Sequence, residues 1–272
     1  MKLMIATLSF LTIFGFSGHL HNGFDYEKAW KEVDELRSKG LPKSALEKTE
    51  EIYQAALKEK NNPQLIKAVV YQCRFRTETD EKGIETSIDR LNEQIQSQQG
   101  PAKYILQSYL AELYLSYFEA NRYLISQRTN LNSAAGPDFR TWTTQNFLQT
   151  ISSLYLASLK DKEMLQDETT KYSTILYDYD DDALQLRPTL FELLADKALK
   201  FFITHTGWES QNPESFTLDS PLYFEVASEF AKLDIADIYR KQSSSSAADL
   251  KNSPEYNVLV LFQNILSIQI NA

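Results

Sequence analysis

Residues 101–120 read PAKYILQSYLAELYLSYFEA, and this stretch decides the fold class. A proline opens it, and Ile105, Leu106, Tyr109, Leu110, Leu113, Tyr114, Tyr117 and Phe118 recur at three- and four-residue spacing. The apolar band they form is wider than the stripe of a surface helix, which predicts a helix with neighbours on two sides. Towards the N-terminus, Ile84, Ile88, Leu91 and Ile95 predict a helix ending before Gly100, and Leu65, Ile66, Val69, Val70 and Cys73 predict one before it. Asn62 is expected to cap that earlier helix, with Pro63 at its first position. Ala45, Ile52 and Ala56 mark a helix from Pro42 to about Lys60, and Trp30, Val33 and Leu36 mark another that Lys39 and Gly40 stop, together an antiparallel hairpin.

Towards the C-terminus, residues 130–140 read as a loop, and Phe147, Ile151, Leu154 and Tyr155 as a helix reaching Leu159. The Pro188 step starts a helix through Leu190, Leu194, Ala198 and Phe202 that stops near Gly207. Residues 211–220 read as a polar connection and 222–233 as a short helix. A Ser-rich linker is expected over 241–253 and a terminal helix, apolar nearly all round, over 254–272. Its apolar residues need more cover than a last helix receives, which makes it the expected start of a further repeat in a shortened product.

Composition agrees with helices. Eight Gly and eight Pro in 272 residues are roughly 3% each, below the usual share of about 7% and 5%, and too few for the many turns of a sandwich or barrel. The expected class is therefore all-α, a tetratricopeptide-like α-solenoid or an irregular helical array over residues 24–240. Twenty-eight Lys and Arg against 37 Asp and Glu give a net charge of −9, which repels a polyanion and argues against nucleic acid as the main partner.

Met1 and Lys2 precede an apolar run to Phe16 and the small pair Ser17 and Gly18, so residues 1–18 read as a signal peptide. The chain is expected to be exported, to the periplasm. The run is too short to span a bilayer, and no cysteine follows it, so no stable membrane anchor is expected once it is removed.

Chemistry is sparsely supplied. Of three histidines, His19 and His21 lie at the export boundary, and His205 falls at a helix C-terminus where the dipole favours it. Cys73 sits in an apolar stripe and reads as a core thiol. Asp178, Asp180, Asp181 and Asp182 lack the glycine and terminal glutamate of an EF-hand loop and read as a solvated turn. The tyrosines at 104, 109, 114 and 117 read as packing residues with hydroxyls reaching the surface. No catalytic, metal-binding or cofactor-binding residue is assigned, no cofactor is expected, and the chain is expected not to be an enzyme.

Two stretches carry a resemblance. Trp30 to Tyr71, with Gly40-Leu41-Pro42-Lys43-Ser44-Ala45-Leu46, Ile52-Tyr53 and Gln64-Leu65-Ile66-Lys67-Ala68, is similar to the N-terminal helical region of exported alpha-2-macroglobulin family proteins of the Bacteroidota. Arg187-Pro188-Thr189-Leu190-Phe191-Glu192-Leu193-Leu194-Ala195, continuing to Phe201-Phe202, resembles a second segment of the same region. The resemblance implies a leader from a protease-inhibitor family in which a bait segment is cleaved and the protease trapped, in some members through a Cys–Gln thioester. Tyr71-Gln72-Cys73-Arg74 is not that thioester motif, and β-sandwich sequence does not follow the helices, so trapping is not expected of this chain alone. What the resemblance leaves is a scaffolding or interaction role, with macroglobulin domains or another envelope protein as partner. An exported glycan-binding helical protein is the alternative, and a small hydrolase using two carboxylates a third reading.

Overall fold

Local signals set each helix. In the computed structural model, α1 (Tyr26–Ser38) starts where the Asp25 side chain accepts from the Lys28 backbone N–H at 3.0 Å. It stops at Gly40, whose φ of +69° lets the Leu41 N–H reach the Leu36 carbonyl at 3.0 Å. α2 (Pro42–Glu59) carries its proline in the first turn, and α3 (Asn62–Thr79) follows after a left-handed Lys60. The cap of α3 is Asn61 and not the expected Asn62. Its side chain faces the Gln64 N–H, while Asn62 and Pro63 already lie inside the helix. α4 (Gly83–Ser97) and α5 (Gly100–Ala120) come next, then α6 (Arg122–Ser126) and α7 (Thr144–Ser158), whose Thr143 and Asn146 cap each other reciprocally.

α8 (Leu190–His205) begins with a second reciprocal cap. The Glu192 N–H faces the Thr189 hydroxyl oxygen, and the buried Glu192 carboxylate accepts from the Thr189 N–H at 3.0 Å and its hydroxyl at 2.8 Å. Thr189→Ala removes one of these partners, and a fall of about 1 kcal/mol in stability is expected. For a chain of this size that is a midpoint about 2–4 °C lower in thermal unfolding, which calorimetry would check.

The described residues are 23–128, 136–162, 164–166, 169–172, 187–205, 221–242 and 253–271. Among them the chain is all helical, without a strand. The expected signal peptide (1–18), the acidic run at 178–182, the connection at 211–220 and the four serines of the linker lie outside them.

Packing follows chain order: α1 on α2, α2 on α3, α3 on α4, α4 on α5, α5 on α7, α7 on α8. α3 serves two cores. Its Ala68, Tyr71 and Phe75 close a cluster with Trp30, Val33 and Ile52, while Ile66, Val69 and Cys73 turn to the main core around α5. α5 is covered on two sides, as its wide apolar band predicts, with Leu106, Leu110 and Phe118 at most 1% exposed. Each such side chain contributes about 1.5–3 kcal/mol of burial.

The C-terminal part departs from the sequence expectation. Residues 222–233 are not one helix: a 3-10 turn (Pro221–Phe224) is followed by an extended Val226 and the one-turn α9 (Ala227–Phe230). Of residues 221–231 only Phe230 is buried, so a continuous helix there would have had no apolar face to cover. α10 (Ile235–Gln242), which sequence periodicity left unassigned, puts Ile235 and Tyr239 against Phe230. α11 (Pro254–Asn271) packs on the helices before it. Val258 and Leu261 join the main core against α8, and Leu259 joins the Phe230 cluster, so the proposed boundary at 241–253 does not separate two cores. Phe262 and Ile270 remain 43% and 50% exposed.

Candidate functional site

Two clefts open on opposite flanks of α5. The first is bounded by α4, α5, α7 and residues 136–142, and its floor is an aromatic cluster. Tyr114 stacks on Trp142 with ring centres 5.2 Å apart and 29° between planes, and Phe147 presents an edge to Trp142 at 5.3 Å. Asn92 donates to the Tyr114 hydroxyl at 2.8 Å, and burial pushes that phenol above its ordinary pKa. Trp142 donates its indole N–H to the Gly136 carbonyl at 2.6 Å.

Arg140 fastens this segment to α4. Its guanidinium reaches Glu85 at 2.7 Å, Asp89 at 2.6 Å and Asp138 at 3.1 Å, and its carbon lies 4.5 Å from the Phe139 ring centre. The Arg140 backbone N–H, followed by its guanidinium, holds the Asp138 carboxyl below the usual range. Arg140→Ala is expected to cost about 1 kcal/mol, the upper end for solvent-accessible pairs. The loss should shrink as salt is raised. Amide hydrogen exchange at residues 138–142 would quicken in the variant, and unchanged exchange would show that the clamp does not hold the segment.

The cleft above this floor encloses about 550 Å³, with Asp89, Glu93 and Thr150 on its rim and Pro137 and Leu154 on its apolar side. No cationic side chain lines it among the described residues.

The second cleft, about 520 Å³, lies between α5, α7 and α8. Glu112 pairs with Lys197 across it, and Glu119 faces the His205 Nε2 at 4.0 Å. These two rungs show that α5 and α8 run in the same direction. His205 sits in the last turn of α8, as expected. It is 4% exposed, and its Nδ1 lies 2.8 Å from the Phe201 carbonyl, a bond the Nδ1-protonated ring donates. Asp196 at the rim is bonded by Arg187 at 2.8 Å. Tyr155, from α7, forms the floor.

Cys73 is 3% exposed and burial raises its thiol pKa, which fits a core thiol. Tyr109 is partly buried on α5, where burial, and after it the nearby Cys73, pushes its phenol well above the ordinary pKa. Neither cleft was visible in the sequence. The i, i+4 pair Asp89 and Glu93 could have signalled the first; the second needs α5 and α8 brought together from 85 residues apart, measured between Glu112 and Lys197.

Among the described residues, no group of three His, Cys, Asp or Glu side chains could hold a metal ion, and no helix is long and apolar enough to cross a membrane. No model of a known protein family, no curated protein and no solved structure matches the chain.

Proposed function

We propose that the chain is a non-enzymatic, exported interaction or scaffolding module, a tetratricopeptide-like array derived from the helical leader of a bacterial alpha-2-macroglobulin. Trp30, Ala45, Ile52 and Ala56 are buried in the first hairpin, and Gly40 turns it, which supports the tetratricopeptide-like reading. Helices packed in chain order support an array in which each unit depends on its neighbours. The likeness of residues 30–71 and 187–202 to the leader supports an envelope protein, such as macroglobulin domains, as partner.

The observation that carries the reading is the first cleft: an open aromatic floor beneath Glu93, which no lining cation meets among the described residues, while Asp89 is held by Arg140. Such a site suits a protein segment that brings a Lys or Arg beside an apolar anchor. Selection from a random-peptide library on the chain tests it. Peptides pairing a basic with an apolar residue should be enriched, bind less tightly at high salt, and lose binding to Glu93→Lys and to Thr150→Trp. Failure to enrich any such peptide, or binding indifferent to both substitutions, would overturn the assignment.

A sugar-binding reading is less well supported, because Tyr114 and Trp142 spend their ring faces on each other, and each is less than a tenth exposed. A carboxylate-pair hydrolase is also less well supported. Glu112 is tied to Lys197, and Asp89 Oδ2 is occupied by Arg140. Turnover of chromogenic glycosides that disappeared in Glu93→Gln would reverse that judgement.

A further inference from the structure

The second cleft has at its floor a hydrogen-bond donor that the fold leaves without a protein acceptor. Tyr155 is 2% exposed, and its hydroxyl, which has no hydrogen-bond partner among the described residues, opens on the cleft. A donor satisfied only by solvent at the floor of a cleft is free to take an acceptor delivered from the cleft. Burial, and after it the Glu112 carboxylate, push the phenol well above its ordinary pKa, so it stays protonated and can donate.

The charges around it do not all cancel. Glu112 is matched by Lys197 and Asp196 by Arg187. What remains is one ammonium, Lys200, with no carboxylate in ion-pair reach among the described residues, and one carboxylate, Glu119, faced by His205 at 4.0 Å. With α5 and α8 parallel and Glu112 level with Lys197, Lys200 stands about 4.5 Å further along the axis and Glu119 about 10.5 Å, an axial offset of about 6 Å. A simple anion entering here meets Glu119 and a simple cation meets Lys200, each at the cost of a like-charge contact. A small molecule carrying both charges meets neither problem.

We propose that this cleft binds a free α-amino acid as its zwitterion, its carboxylate taken by Lys200 and the Tyr155 hydroxyl and its ammonium by Glu119. Leu115 and Phe201, which also line the cleft, receive an apolar side chain, so leucine is the first probe. The site shares no lining residue with the peptide cleft, and either assignment can fail without the other.

Calorimetric titration of the full chain with L-leucine tests this. Saturable binding is expected, with leucine amide, which lacks the carboxylate, and N-acetyl-leucine, which lacks the ammonium, each at least tenfold weaker. Tyr155→Phe keeps the ring and should weaken leucine about tenfold. Lys200→Ala and Glu119→Gln are surface changes that leave folding intact and should weaken it as much. No saturable binding of glycine, leucine, glutamate or lysine would overturn the proposal. So would the two blocked derivatives binding as well as leucine, or glucose binding where leucine does not.

Discussion

Replacing Gly83 by alanine is expected to destabilise the protein by about 3 kcal/mol, the upper part of the range for forcing an extra carbon into a packed site. A β-carbon at this position would lie 2.2 Å from the Arg76 carbonyl oxygen, 2.4 Å from its carbon and 2.6 Å from the Thr77 nitrogen. All three are backbone atoms of α3, so no side chain can swing aside, and relief requires α4 to move off α3. That shift would disturb Ile88 and Leu91, both fully buried on α4, and the Ser87 hydroxyl, which donates to the Gly83 carbonyl at 2.7 Å. Thermal unfolding should show a midpoint about 6–12 °C lower. Two other glycines are the controls. Gly136→Ala meets nothing within 4 Å and should be neutral. Gly40→Ala also has open space, but at φ +69° it should cost about 1 kcal/mol through the backbone alone. If all three alanines behaved alike, the close approach of α3 and α4 would be wrong.

Gly83 also shows where sequence reading ends. Its helix was legible from Ile84, Ile88, Leu91 and Ile95, because the 3.6-residue period is a property of the chain itself. Its contact with Arg76 belongs to the crossing of two helices, which no periodicity encodes. The same division runs through the molecule. The wide band of α5 announced covering on two sides, but not that one cover would be α8, brought in from beyond residue 186. No single helix over 222–233 could be read correctly, because three short helical pieces with none, one and two buried residues have too few turns for a period to emerge. α11 was read as lacking cover because its partners α8, α9 and α10 are not all adjacent to it in the chain. Thr189-Leu190-Phe191-Glu192, by contrast, is a capping box that the sequence displays right beside the proline. Neither cleft was legible, since each is lined from three segments and depends on which carboxylates find a cation: Asp89 does in Arg140, Glu112 does in Lys197.

Phe147→Ala should be the most damaging side-chain truncation, at about 3–5 kcal/mol. Phe147 is fully buried, with Tyr117 stacked on it at 5.9 Å, Phe118 tilted at 5.7 Å, and Trp142 and Tyr114 edge-on at 5.3 and 6.3 Å. Four rings that lean on one another cannot all close inward when the fifth is removed, so much of the volume stays as a cavity and the cost sits high in the range. The midpoint should fall by about 10 °C. The effect should also reach the peptide cleft, because Trp142 and Tyr114 form its floor. A selected basic peptide should bind Phe147→Ala more weakly even at temperatures where the variant is folded. Ile52→Ala separates the two consequences. Ile52 is just as buried, but in the α1–α3 cluster with Trp30 and Phe75, which excludes the cleft. Its truncation should cost about 2–5 kcal/mol and leave peptide affinity unchanged. Equal losses of affinity in the two variants would mean that binding tracks global stability and not the aromatic floor, and the first cleft would lose its claim to be the receiving surface.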